Sequence, residues 1–122
     1  MTTTTTNEYT IDAAGRTLGR VAAEAAKILM GKTRVDYVPN KITELKVTIN
    51  NADKLSMRES KTKSQTYSTY SGYPGGLRTE TFAMLAARSG NKECLSRAIE
   101  RMMPRNKLRT SRMKNLTINA SN

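Results

Sequence analysis

Residues 9–31 read YTIDAAGRTLGRVAAEAAKILMG, and the reading of this stretch decides the fold. Tyr9 and Ile11 alternate with polar neighbours as a short strand does, and Asp12 with the turn-prone AAG after it closes that strand. From Leu18 the period changes. Leu18, Val21, Ala22, Ala25 and Leu29 recur at spacings of three and four, which sets them on one face of a helix. Thr17 is positioned to cap its start and Gly31 to end it. Beyond a connection containing Pro39, LKVTIN at 45–50 alternates again, with Leu45, Val47 and Ile49 inward against Lys46, Thr48 and Asn50. Strand, helix, strand predicts a βαβ opening, with a parallel pairing and a right-handed crossover.

Outward from this unit, the polar run from Lys61 to Tyr70 is rich in Thr, Ser and Tyr and predicts an extended segment. RTETFAMLAARSG at 78–90 predicts a helix capped by Thr79, with Phe82, Leu85 and Ala86 on one face and Gly90 at its end. Asn91 is placed to cap another helix, whose apolar stripe is Leu95, Ala98, Ile99, Met102 and Met103, with Pro104 just past it. A basic stretch, RNKLRTSRMKN, leads to a last short strand at 116–119. Strands and helices alternate without internal repeats, so the fold class read here is α/β, with helices on the faces of a mostly parallel, four-stranded sheet. A chain of 122 residues is one domain by length. Residues 1–7, MTTTTTN, lack both positive charge and an apolar run and resemble neither a secretory signal nor a transit peptide. They read as a disordered polar tail, leaving 8–122 as the single domain.

Charge is the strongest bulk signal. Lys and Arg number 21 against 10 Asp and Glu, a net charge of +11, with a pI near 10.2, so the natural partner is a polyanion. A membrane surface is the competing polyanion, but no segment approaches the roughly 18 uninterrupted apolar residues of a spanning helix. No helix joins a strong apolar face to a lysine-rich one either, so nucleic acid is favoured and no membrane partner is expected. The chain has no histidine and a single cysteine, Cys94, which excludes an internal disulfide, His-dependent triads and the usual zinc sites. A reducing intracellular compartment follows as the default.

Catalytic constellations do not assemble. Gly31, Lys32 and Thr33 spell the end of a phosphate-binding loop, but residue 26 is Ala26 where that loop needs glycine, and the triplet follows a helix rather than opening one. Asp12, Glu24, Glu80 and Glu100 each have a structural role or a nearby cation, and Cys94 early in a helix has no evident base. No catalytic residue, metal, cofactor or small-molecule substrate is expected.

The cations are unevenly spread. Arg101, Arg105, Lys107, Arg109, Arg112 and Lys114 follow one another with no acid after Glu100. A second cluster, Lys54, Arg58, Lys61 and Lys63, has only Glu59 against it and runs into TYSTYSGYPGGLR at 66–78. These runs read as phosphate contacts. In the tyrosine and glycine stretch, at least one of Tyr67, Tyr70 and Tyr73 is expected to be partly buried. Its glycines read as a tight turn feeding a helix at Thr79, whose free N–H groups would face a phosphate beside Arg78 and Lys63.

Several motifs in order resemble large-subunit ribosomal protein thirteen, in its bacterial form. They are IDAAGRTLGRVA at 11–22 with GK at 31–32, VTINNADKL at 47–55, YSGYPGGLR at 70–78 and AIERMMPRNKLRTSRMKNL at 98–116. The resemblance runs from about Tyr9 to Asn119. It implies a three-layer α/β/α domain around a short parallel sheet, bound to large-subunit rRNA beside neighbouring ribosomal proteins, active in early subunit assembly and without catalysis. By position it implies RNA-facing roles for Gly72, Pro74, Gly75, Gly76 and Arg78, for the basic segment after Pro104, and for Arg16, Arg20 and Lys32. The sequence departs from the family pattern in carrying Tyr70 where members usually have histidine, and in ending at Asn122 soon after the last strand.

The expected rRNA-binding set is thus Arg16, Arg20, Lys32, Lys61, Lys63, Tyr70, Gly72, Pro74, Gly75, Gly76, Arg78, Arg101, Arg105, Lys107, Arg109, Arg112 and Lys114. Arg105, Lys107, Arg109 and Arg112 are read as surface groups that alanine can replace together without loss of fold. The expected setting is the large subunit of a cytoplasmic ribosome, an organellar ribosome remaining compatible, with no homo-oligomer. A free-standing RNA-binding translational regulator is the alternative, and an enzyme acting on a phosphorylated substrate at the glycine stretch is a further rival. If about six phosphates are neutralised, log affinity for rRNA falls against log salt with a slope of roughly −4 to −5. Filter binding across a salt series measures it, and a slope near zero rejects phosphate contacts as the source of affinity.

Overall fold

The computed structural model describes residues 8–35, 38–40 and 45–120; the polar tail read at 1–7 lies outside the described residues. Strand β1 (Glu8–Asp12), helix α1 (Leu18–Leu29) and strand β2 (Lys46–Asn50) form the expected βαβ unit. The two strands run parallel, with Tyr9 opposite Val47 and Ile11 opposite Ile49. Ile11, Val47 and Ile49 are buried while Asp12 and Lys46 are exposed, so the alternation read in the sequence is the alternation of the pleat.

Helix α1 ends as its sequence requires. Gly31 takes φ +84; its N–H donates to the Ile28 carbonyl at 2.9 Å, and the Lys32 N–H donates to that of Lys27 at 3.2 Å. This pair of bonds is the Schellman closure, which needs a left-handed residue where Gly31 stands. The other end differs from expectation. Thr17 occupies the cap position without a side-chain cap bond, and the chain is held there through the backbone, where the Ser56 N–H donates to the Arg16 carbonyl at 2.8 Å.

The buried face of α1 includes Ala22, Ala25 and Ala26. Small side chains let another helix lie close, and α4 (Asn91–Met102) packs there with Cys94, Leu95 and Ile99 buried. Strand β5 (Leu116–Ile118) pairs parallel with β2, giving the order β1-β2-β5 with β2 central.

Among the described residues this sheet holds three strands where four were expected. The run from Lys61 to Tyr70 divides instead into helix α2 (Glu59–Ser64) and strand β3 (Thr66–Tyr70). In α2 the Thr62 and Ser64 hydroxyls donate to the Glu59 and Ser60 carbonyls at 2.7 Å, and Lys63 reaches Glu59 at 3.1 Å across one turn. Strand β3 then pairs antiparallel with β4 (Leu77–Thr81), Thr66 opposite Thr81 and Tyr70 opposite Leu77, in a hairpin separate from the parallel sheet. Helix α3 (Phe82–Ser89) consequently begins later than read. Its cap is Thr81, whose hydroxyl accepts from the Met84 N–H at 3.3 Å, while Thr79 lies in β4. The sequence reading starts the helix at a Thr79 cap, because Thr79 is a good capping residue before the apolar face at Phe82; a β partner in TYSTY overrides that local preference.

Two further differences concern α4 and its sequel. Gly90, with φ +81, joins α3 to α4 directly and takes the cap position expected of Asn91. The Asn91 side chain instead donates to the Ala52 carbonyl at 3.5 Å. The basic stretch after Pro104 contains a helix, α5 (Lys107–Met113), capped by Asn106, whose side chain accepts from the Leu108 N–H at 3.1 Å.

Adjacent residues of α3 give the packing its test, since Leu85 is 0% exposed and Met84 58%. Leu85→Ala is expected to cost about 2–5 kcal/mol and Met84→Ala less than about 0.5 kcal/mol. Urea unfolding monitored by circular dichroism measures both, and equal costs would contradict the burial described.

Candidate nucleic-acid interface

The tyrosine and glycine stretch forms the tip of the β3–β4 hairpin. The Gly76 N–H donates to the Tyr73 carbonyl at 2.9 Å, with Pro74 and Gly75 between and Gly75 at φ +75. That is the arrangement of a type II turn, whose third position demands positive φ. A side chain at Gly76 would collide with Ser71. The glycines therefore turn a hairpin and do not open a helix, which corrects the expectation of helical N–H groups aimed at a phosphate from Thr79. Gly72, Pro74, Gly75 and Arg78 are exposed.

The three tyrosines part company. Tyr70 and Tyr73 are 64% and 75% exposed, whereas Tyr67 is 4% exposed. Its ring lies 6.4 Å from that of Phe82 and beneath two guanidinium groups, Arg97 at 5.3 Å and Arg101 at 5.1 Å from its centroid. Cation–π attraction thus fixes Arg101, a residue read from sequence only as one charge in a run.

The basic stretch after α4 is sorted by the fold. Arg105, Lys107 and Lys114 are exposed. Arg109 leans towards Glu100 at 3.7 Å. Arg112 is 2% exposed, and its guanidinium donates to the Pro39 carbonyl at 3.3 Å. It serves the interior, because α5 must turn one face inward for β5 to reach the sheet. Alanine at Arg105, Lys107, Arg109 and Arg112 together would therefore disturb the core as well as the surface, against the sequence expectation.

Two cavities adjoin at the start of α1. One, of about 410 Å³, is lined by Thr17, Gly19, Arg20, Met57, Arg58 and Lys61. Its neighbour, of about 190 Å³, is lined by Gln65, Tyr67, Ala98, Arg101 and Met102; both share Leu18 and Lys61 as walls. The fold thus gathers Arg20, Lys61 and Arg101, which stand far apart in the chain. It brings in Arg58 from the second cationic run and adds Gln65 and Tyr67, which sequence reasoning did not place in a site, since only the fold makes them neighbours.

The remaining expected residues stand elsewhere. Arg16 pairs with Glu24 at 2.7 Å and Lys63 with Glu59, so both carry local partners. Lys32 is exposed beyond the C-terminal end of α1, which leaves the GKT triplet no helix N-terminus to serve. Among the described residues, no group of three or more His, Cys, Asp or Glu side chains could hold a metal, and no helix is long and apolar enough to cross a membrane. Burial pushes the Cys94 thiol above its ordinary value, which disfavours the reactive thiolate. The amide of Asn51 and the Ala14 N–H hold the Asp12 carboxyl below its ordinary value.

Tyr67 supplies a pH test. Burial raises its phenol above the ordinary value, outweighing the opposing pull of Arg101 and Arg97. A pKa higher in the folded than in the unfolded chain gives stability present below about pH 10, which is lost as pH rises through the folded value. In an ultraviolet titration of tyrosinate, one phenol is expected to titrate above the ordinary range and to vanish from the curve in Tyr67→Phe. Persistence of that late phase in the variant would contradict the assignment.

The profile of the family described as Ribosomal protein L13 matches residues 6–122. The chain is similar to the large ribosomal subunit protein uL13 of Rubrobacter xylanophilus, 38% identical over 112 residues that make up 92% of this chain and 78% of that protein. The uL13 of Chlamydia pneumoniae is 40% identical over 115 residues, 94% of this chain and 76% of its own length. That of Treponema pallidum is 41% identical over 112 residues, 92% and 78% respectively. These alignments take in nearly the whole chain, the βαβ unit, the glycine hairpin and the basic stretch after α4 included, and the chain belongs to the ribosomal protein L13 family.

Proposed function

We propose that this protein is a structural constituent of the large ribosomal subunit, that it binds large-subunit rRNA and that it supports early subunit assembly. Membership of the family carries the reading, since its relatives are named as large ribosomal subunit proteins. The charge of +11 supports it, as do the exposed cations Arg20, Arg78, Arg101, Arg105, Lys107 and Lys114. No catalytic step belongs to this role.

Recognition is of folded RNA through phosphates, 2′-hydroxyls and shape, with Tyr70 and Tyr73 available for stacking on unpaired bases. The tight turn at Pro74 and Gly75 lets backbone approach RNA closely. Residues 8–122 act as one rRNA-binding unit of three layers, α/β/α, in contact with rRNA and neighbouring subunit proteins, as a single copy in the cytoplasmic ribosome. Arg112 drops out of the contact set because of its burial, and Arg16 and Lys63 contribute less than their charges suggest because of their acidic partners.

Sedimentation of a cell lysate tests the role: the protein is expected to travel stoichiometrically with large subunits, whereas a free-standing regulator would stay in the light fractions. The surface is tested by Arg105→Ala, Lys107→Ala and Lys114→Ala combined. This variant is expected to keep its circular dichroism and to lower the magnitude of the salt slope by roughly 2–3. An unchanged slope would remove that stretch from the interface.

A further inference from the structure

Leu18 and Lys61 are walls common to the two cavities at the start of α1, so the cavities form one groove with two unlike lobes. The larger lobe is cationic. Arg20 comes from α1, Arg58 from the residue before α2 and Lys61 from α2, and none of the three has an acidic partner among the described residues. No acidic residue lines either lobe. Like charges brought together in this way favour an anion between them. The floor of the same lobe is the backbone of the first turn of α1, where Gly19 has nothing within 4 Å of the position a Cβ would take. Backbone at that point is open to a close approach.

The smaller lobe has a different chemistry. Leu18, Ala98, Met102 and the edge of Tyr67 make it largely apolar, with Gln65 and Arg101 as its own polar residues and Lys61 at the wall it shares with the cationic lobe. Arg101 is held over the Tyr67 ring, so a flat cationic group stands at the wall. Such groups stack on nucleobases, and an amide can donate and accept along a base edge. At about 190 Å³ the lobe is smaller than the roughly 300 Å³ at which pockets for drug-sized ligands begin. It suits one planar ring system.

From this pairing of lobes we infer that the groove seats a single unpaired nucleotide of the bound RNA. Its phosphate lies over Gly19 among Arg20, Arg58 and Lys61, and its base enters the apolar lobe against Arg101. The inference rests on the rRNA-binding reading and adds to it a defined subsite, with separate positions for phosphate and base. It also gives Tyr67 two roles: its edge lines the lobe, and its ring positions Arg101.

The methionines report on each lobe, Met57 on the cationic one and Met102 on the apolar one. With protein labelled at the methionine methyls and the backbone nitrogens, magnetic resonance titrations would use inorganic phosphate, adenosine 5′-monophosphate and uridine 5′-monophosphate as probes. Phosphate is expected to shift the Gly19 amide and Met57 and to leave Met102 in place, whereas a nucleotide shifts all three. Gly19→Leu fills the open space above the helix with a better helix former, so it blocks the subsite without loss of fold. It is expected to abolish these shifts and to weaken binding of a large-subunit rRNA fragment about tenfold or more, the range that loss of one stacked base produces. Nucleotide titrations that leave both methionines unmoved, or a Gly19→Leu protein that binds the rRNA fragment with unchanged affinity, would overturn the subsite. Failure of the wild-type protein to bind rRNA at all would instead overturn the functional reading beneath it.

Discussion

The structure depends on the parallel pairing of β5 with β2. Val47 stands opposite Leu116 and Ile49 opposite Ile118, so residues far apart in the chain must meet before the sheet is complete. The contact is extended on both sides by backbone bonds, from the Val47 N–H to Asn115, from Asn119 to Ile49 and from Ala52 to Asn119. With β1 on its other edge, β2 has backbone partners along both edges. Its inward residues Val47 and Ile49 are then buried without stranding polar backbone groups.

That constraint also settles what holds the fold together. A fully buried Val, Leu, Ile or Phe side chain is worth about 1.5–3 kcal/mol. The ion pairs of the described residues, each with at least one solvent-exposed partner, are worth about 0–1 kcal/mol each. The core built on α1, α4 and the sheet therefore carries the stability. Cations are not needed for folding in general, which leaves most of them free to meet an anionic partner. Arg112 is the exception, since the return of the chain into β5 draws it inward.

The remaining cations are divided by geometry rather than by number. Glu24, Glu59, Glu80, Glu93 and Glu100 each engage a nearby arginine or lysine. Three cations without an acidic partner among the described residues, Arg20, Arg58 and Lys61, meet at the start of α1, where they line one cavity. Tyr67 links this region to the hairpin. Its buried ring ties β3 to Phe82 of α3 and carries Arg97 and Arg101 of α4 on its surface. The only tyrosine of the hairpin to be buried thus fixes a cation that its own strand does not contain.

Local patterns were enough for the βαβ opening, for α4 and for the last strand. In each, apolar side chains repeat at the period of the element, and Gly31 and Pro104 mark ends by their backbone chemistry. The polyanion partner was equally legible, because net charge is a property of composition. Legibility failed at LRTET, whose strand exists only through its pairing with TYSTY, and at α2, whose polar residues have no apolar stripe to announce them. It failed again at Arg112, one of six cations alike in sequence until the path into β5 buries it. Sequence by itself determined the elements with a strong internal period and the sign of the surface. Tertiary structure alone decided which charges stay outside and which meet, because burial and proximity between residues as distant as Arg20 and Arg101 are set by how the helices cross.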